Sequence, residues 1–417
     1  MEKTDLMKIN IYDPADHPEE WTPEMYQKLE QARDIIEEWW LPNRRQLDRL
    51  GGILAMTEMS DVYYGLHKSI IDAGFYGRTI PKEYGGPGWG LLQCSLLSAE
   101  ITKVGYTPRL DDAFFTGEPA VQILLKWTPD EDAKREYFKR IQDGGFCTIW
   151  ATDPESGVDM GGMRGSAARD GDYYILNGPK WWMAMCSPGP VGLQWHLALL
   201  KTDTTKRTSG LTLFILNDEE PGIIRGREGD LTGARWGCAR YELLLKDVKV
   251  QKKYLASPEG KGLYALVDGM NKHMANQAFQ AVGVSEAAIK LVLDYTQSTI
   301  RWDHPIIEYQ GVHFPIADMW VNAEASRAIA AKACKLWDEG DQEALHGKWA
   351  ILAFRMAAPS ALDACLKGIE LMGARAIERE EGWPLELMYR DSMIFTLYRT
   401  PNVDRKFLAS YLVRRRL

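Results

Sequence analysis

Two adjacent carboxylates, Asp111 and Asp112, stand in the run PRLDDAFF between Leu110 and the apolar residues Ala113, Phe114 and Phe115. A carboxyl group in apolar surroundings has a raised pKa, and a second one beside it raises it further, which suits abstraction of a proton near neutral pH. The same pair has a plainer reading, in which one aspartate caps the helix that begins after Pro108 and the other is solvated. That reading is expected to hold for one of the two. His273, in DGMNKHMANQ, is an alternative base because a neutral imidazole has a suitable pKa. A lone histidine on a helix is, however, more often structural.

The chain that must position these groups has 417 residues, enough for two or three packed subdomains. Hydrophobic residues make up 45% and charged residues 26%, which excludes a disordered or fibrous chain. With 50 basic and 58 acidic residues the net charge is -8. No basic field is available to hold a nucleic-acid backbone, although a basic pocket for one phosphorylated ligand is compatible with that balance. Cys94, Cys147, Cys186, Cys238, Cys334 and Cys365 are scattered with no C-x-x-C pair, so neither a zinc knuckle nor a disulfide framework is signalled. A reducing, cytoplasmic setting is expected, with no targeting segment in MEKTDLMKIN and no stretch long enough to cross a bilayer. Most of the fifteen tryptophans and sixteen methionines are expected to fill core space.

Helical spacing runs from Trp21 to about Ile71, with Leu29, Ala32, Ile35, Ile36 and Trp39 predicted on one face. FYGRTIPKEYGGPGWG is an ordered turn or loop, LLQCSLLSAEITKVG resumes a helix, another follows Thr116, and the charged tract from Thr128 to Asp143 reads as a solvent-facing helix. From Phe146 the pattern changes. FCTIWAT, DYYILN, WHLALL, LTLFIL and YELLLKDVKV are short runs rich in β-branched and aromatic residues, separated by turn formers. Helical period returns after Pro258 and persists through long segments that read as a bundle. The expected class is α+β, with a helical domain over 1–145, a β domain over 146–257 and a helical bundle over 258–417. Neither an all-helical nor a Rossmann arrangement fits this order.

Several strings in this order resemble the acyl-CoA dehydrogenase family, flavoproteins that oxidise an acyl thioester between its α and β carbons. IPKEYGGPGWG is similar to the Gly-rich turn of the family's N-terminal domain, and WATDPESGVDMGGMRGSAARDGDYYILNGPKWWMAMC to its flavin-binding β segment. YELLLKDVKV, IIEYQGVHFPIADM and EGWPLELMYRDSMIFTLYRTPNVDR resemble the closing strand, the bundle and the last helices. The resemblance implies FAD, with Thr152, Gly157, Trp182 and Ala184 lining the flavin; Ala184 stands where many relatives carry Thr or Ser, and Val158 replaces a usual Ser. Trp181 is expected to fill the β core instead. For the adenine half the resemblance implies Trp302, Gln310 of the Glu308-Tyr309-Gln310 string, Gly373, Thr400 and Asn402. Arg301 substitutes there for the usual arginine, whose position holds Thr299.

The family removes an α-proton with a carboxylate while a hydride leaves Cβ for the flavin. The position of the usual C-terminal Glu is Tyr398 here, followed by Arg399, and the second position used by a subset of members is His273. Asp111 and Asp112 fall in the helix whose side chains line the acyl pocket of relatives, and members that act on cyclic acyl-CoAs are similar in using an aspartate from that region. Asp111 is favoured as the inward one; His273, or loss of catalysis in a subunit paired with an active homologue, are the alternatives. Arg109, Tyr398 and Arg399 are the substrate-side residues implied, with Arg109 and Arg399 able to hold a distal carboxylate. Either arginine could equally be a surface or phosphate-facing charge. Met274 replaces an arginine that holds CoA in relatives, with Lys272 close by. The reaction expected is dehydrogenation of a cyclic or aryl-substituted acyl-CoA, including succinyl-type esters, as in anaerobic degradation of aromatic compounds. Electron transfer flavoprotein would take the electrons, and the family implies a homotetramer built as a dimer of dimers. An oxygen-reactive relative, an oxidase or flavin monooxygenase, is the remaining alternative.

Overall fold

The structure is a computed structural model that describes residues 11–114, 117–184, 194–236, 240–378, 382–397 and 401–413, the side chains of 182–184 excepted. It opens with α1 (Pro23–Ile35), which starts because Thr22 accepts a hydrogen bond from the Met25 N–H and Pro23 supplies a preset φ. A π-helical turn, Ile36–Trp40, follows directly. Its wider turn shifts the apolar stripe by one residue, so Trp40 is buried and Trp39 only half-buried, against the uninterrupted 3.6 period. Trp40 donates from Nε1 to the Gly105 carbonyl at 2.7 Å and lies 4.2 Å from the Trp236 ring. The helical layer continues with α2 (Arg44–Leu50), α3 (Gly52–Glu58), α4 (Ser60–Asp72), α5 (Leu91–Gly105), α6 (Pro108–Phe114), α7 (Glu118–Trp127) and α8 (Glu131–Gln142). The last of these exposes Glu131, Asp132, Arg135 and Lys139 but buries Ala133, Tyr137, Phe138 and Ile141, so it is amphipathic and not simply solvent-facing.

The middle domain holds β1 (Cys147–Trp150), β2 (Ser166–Asp170), β3 (Tyr173–Ala184), β4 (Trp195–Lys201), β5 (Leu211–Asn217), β6 (Ile223–Glu228) and β7 (Arg240–Gln251). They form one sheet in the order β1-β4-β2-β3-β7-β6, with β5 paired to β4. Two strands escaped the sequence pattern: β2 is built from small and charged residues, and β6 is a mostly exposed edge rich in arginine and glutamate. In β4 and β5 the alternation is one of burial on both sides. Ala198, Leu200, Phe214 and Leu216 face the interior of the β domain, while Leu197, Leu199, Leu213 and Ile215 join the helical core. Both strands therefore read as continuous apolar runs.

The remainder is α9 (Gly262–Ser298), a hairpin of β8 (Ile300–Arg301) and β9 (His304–Pro305), then α10 (Gln310–Asp338), α11 (Gln342–Leu345), α12 (Lys348–Met372), α13 (Leu385–Ser392) and α14 (Pro401–Val413). The long helix α9 packs on α5, α7, α10 and α12, and so ties the bundle to the first layer. Asp338 at the end of α10 accepts the Leu91 and Leu92 N–H groups at 2.7 and 3.0 Å, capping α5 from 247 and 246 residues away. Among the described residues one segment, Lys348–Ala376, reaches by length and composition alone what a membrane crossing needs, a test that a buried core helix also passes. Its apolar side packs on α9 and α10 as a bundle helix.

Candidate active site

Helix α6 starts at Pro108 because Thr107 accepts a hydrogen bond from the Arg109 N–H at 3.1 Å. Neither aspartate caps it, which corrects the plainer reading of the pair. Asp111 points inward and is 1% exposed. Its Oδ2 accepts hydrogen bonds from Gln280 Nε2 and, at 3.4 Å, from Asn276 Nδ2, both on α9. Burial raises the Asp111 pKa to about 7, against the opposing pull of Ser98, Gln280 and Asn276. Asp112 turns the other way, half-buried, and forms an ion pair with Arg109 one turn earlier. Arg109 is itself buried, so it is no surface charge.

His273 lies on α9 one turn before Asn276 and Gln277. Burial, and then the positive charge of Arg109, lower its pKa to about 4. The imidazole is therefore neutral and only weakly basic, whereas the Asp111 carboxyl titrates near working pH. The structure thus gathers Arg109, Asp111, Asp112 and His273 where α6 meets α9. Tyr398, Arg399 and Thr400 lie outside the described residues.

The segments singled out for a flavin are organised by a buried ion pair. Lys180 Nζ sits 2.7 Å from Asp153 Oδ1, both fully enclosed, and Asp153 Oδ2 accepts the Arg164 and Gly165 N–H groups at 2.7 and 3.0 Å. The Trp181 N–H donates to the Thr152 carbonyl at 2.9 Å, so Thr152 and β3 are held together. Gly178 has φ +130°, and a Cβ there would stand 2.5 Å from the Gly165 Cα. Gly157 is exposed at φ +50°, with no atom of the described residues within 4 Å of where a Cβ would be. Trp181 is half-buried and outside the β core, not a filler of it. Trp182 and Ala184 lie on β3, but their side chains are outside the described residues.

Arg301, Trp302 and Gln310 come together at the α9–α10 hairpin. Both turn residues, Trp302 and Asp303, have positive φ, +49° and +68°, and Trp302 is 81% exposed. Its ring lies 5.8 Å from Tyr309, whose hydroxyl donates to the Arg301 carbonyl. Gln310 begins α10 and is exposed. Gly373 follows α12 at φ +66° with no described atom within 4 Å of where a Cβ would be, and Asn402, in the first turn of α14, is exposed and accepts from Arg405 at 3.3 Å.

Sequence reasoning missed Asp391 on α13. It is fully buried, accepts from Thr107 Oγ1 at 2.6 Å and from the Ala234 N–H at 2.7 Å, and thereby joins the start of α6 to the loop before β7. Arg390 beside it donates to both oxygens of Asp48 and to the Thr232 carbonyl. Nothing local in YRDSM announces this, because its partners lie 157 and 284 residues away.

The sequence models of the acyl-CoA dehydrogenase N-terminal, middle and C-terminal domains match residues 22–147, 148–248 and 260–409. The chain belongs to the acyl-CoA dehydrogenase family, oxidoreductases that act on CH–CH groups and depend on FAD. Among its relatives, cyclohex-1-ene-1-carbonyl-CoA dehydrogenase of Geobacter metallireducens is 27% identical over 91% of this chain and 95% of its own length. The caffeyl-CoA reductase–Etf complex subunit CarC of Acetobacterium woodii is 28% identical over 82% of this chain and 88% of its own. Butyryl-CoA dehydrogenase of Megasphaera elsdenii superposes with a TM-score of 0.84 at 24% identity, covering 94% of this chain and 99% of that one, and shares its fold.

The residues present suit FAD. Gly157 and Gly373 leave open space beside a backbone that can approach a ligand closely, and the hairpin presents an aromatic face that nothing else in the described chain covers.

Proposed function

We propose that this chain dehydrogenates a cyclic or aryl-substituted acyl-CoA thioester, with Asp111 as the base. The observation that carries the reading is a buried carboxyl on α6, clamped through one oxygen by two amides of α9 and titrating near neutral pH. A base poised there combines a useful ionised fraction with real proton affinity. Gln280 and Asn276 fix Oδ2 and leave Oδ1 to take the α-proton of the thioester. FAD, when bound, supplies the acceptor for the hydride from Cβ. Asp112 neutralises Arg109 on the same helix as this carboxyl, which favours an uncharged ring over a distal carboxylate. Relatives that act on cyclohexene-carbonyl-CoA and caffeyl-CoA support a ring-bearing substrate, in keeping with anaerobic degradation of aromatic compounds.

Thr152, Gly157, Trp182 and Ala184 would hold the flavin half of FAD, and Arg301, Trp302, Gln310, Gly373, Thr400 and Asn402 the adenine half. Tyr398 and Arg399 would close the substrate side. Electron transfer flavoprotein is the proposed acceptor, supported by the Etf-linked relative. The working form is a homotetramer, which light scattering would show as four times the 47.3 kDa chain. Buried free thiols at Cys94, Cys147, Cys334 and Cys365 support a reducing, cytoplasmic setting.

The test is anaerobic reduction of the flavin in purified protein by a panel of linear, cyclic and aryl CoA thioesters. Asp111→Asn should retain colour and thioester binding while reduction slows by about 10²-fold or more. Normal reduction in Asp111→Asn, with loss in His273→Ala, would transfer the role to the histidine. A wild-type flavin that no thioester bleaches would favour a catalytically silent subunit.

A further inference from the structure

His273, Asn276, Gln277 and Gln280 recur at i, i+3, i+4 and i+7, a single face of α9, and this face meets α6. Two of the four have hydrogen-bonding capacity that the chain leaves unused. Gln277 is 0% exposed, yet neither its Oε1 nor its Nε2 has a hydrogen-bond partner among the described residues. Asn276 commits Nδ2 to Asp111, and its Oδ1 is likewise buried without a partner. Buried amide atoms nearly always find partners, because leaving them unmet is costly. A helix face that met only hydrocarbon would be expected to carry leucine or valine at such positions. Three unmet atoms on the helix face that holds the proposed base point instead to a polar group on the ligand.

Resting on the dehydrogenase reading above, we infer that the acyl group carries a hydroxyl beyond Cβ, recognised by Gln277 and Asn276. A hydroxyl both donates and accepts, so one such group can give its proton to an amide oxygen and receive a hydrogen bond from Gln277 Nε2. A carboxylate only accepts, and Arg109, the cation whose charge acts on His273 of this face, is already paired with Asp112. Alkyl and unsubstituted ring substrates leave the amides unmet. A site built to hydrogen-bond a substrate hydroxyl discriminates strongly against the analogue that lacks it.

The experiment is equilibrium binding to the FAD-loaded full-length protein, followed by calorimetry, with cyclohexanecarbonyl-CoA and 4-hydroxycyclohexanecarbonyl-CoA as the probes. The hydroxylated ester should bind at least about tenfold more tightly. Gln277→Leu should abolish that preference, chiefly by weakening the hydroxylated ester, and Gln277→Met provides the same readout with an unbranched side chain should the first variant fold poorly. Equal affinities in the wild type, or a preference that survives in the folded variants, would overturn the hydroxyl assignment while leaving the dehydrogenase reading intact. Failure of both esters to bind the FAD-loaded protein would overturn the two together.

Discussion

Asp111 and Asp391 share one physical property: each is an enclosed carboxyl whose pKa burial raises, to about 7 and about 6 respectively. Between the ordinary aspartate range and these values the folded chain keeps protons that the unfolded chain has lost. Conformational stability should therefore fall as pH rises from about 4 to about 7 and level off above that window. Urea unfolding of Asp111→Asn should show a flatter profile across the window and a higher midpoint than wild type at pH 8; an unchanged slope would mean that Asp111 ionises normally in the fold. The aspartate pair was legible in the sequence because two acids inside an apolar run are conspicuous. Gln277 was not, since a glutamine in a helix reads as ordinary surface until its burial is known. Asp391 was equally hidden, its partners being distant in the chain.

Among the elements, β3 depends on two local decisions. The Lys180–Asp153 pair is fully buried, and removing one member strands the other charge. Lys180→Met should cost about 3–5 kcal/mol by thermal or urea unfolding. Lys180→Met combined with Asp153→Asn should recover part of the loss, because the amide oxygen still accepts the Arg164 and Gly165 N–H groups. Gly178 lets β3 pass against Gly165, so Gly178→Ala should destabilise the domain by about 1–3 kcal/mol and shed flavin during gel filtration. Retention of full cofactor and Tm would show that the two segments separate without consequence. Most elements could be read from periodicity, but β2 and β6 could not: they are held by their neighbours in the sheet more than by their own composition. The shift from Trp39 to Trp40 has a similar origin, a single wide turn that no propensity encodes.

In the whole molecule, the first helical layer and the bundle share one interior with one face of the sheet, and the other face of the sheet keeps an interior of its own. One apolar cluster runs from Met25 through Leu97 and Leu213 to Phe354, drawing on the first helical layer, one face of the sheet and the bundle alike. Scanning calorimetry of the FAD-loaded protein should accordingly give one main transition, and resolved transitions for the β domain and the helices would contradict that coupling. The buried carboxylate of Asp391 is the plainest instance, since a single side chain on α13 ends the orphaned hydrogen-bond donors of both the α6 start and the loop at Ala234. A gene divided at the module boundaries would leave that carboxylate in one product and both of its donors in others. Recombination or truncation that respects the visible modules should thus yield insoluble fragments, while exchange of modules with relatives would succeed only where the partner chain also offers donors in those two places.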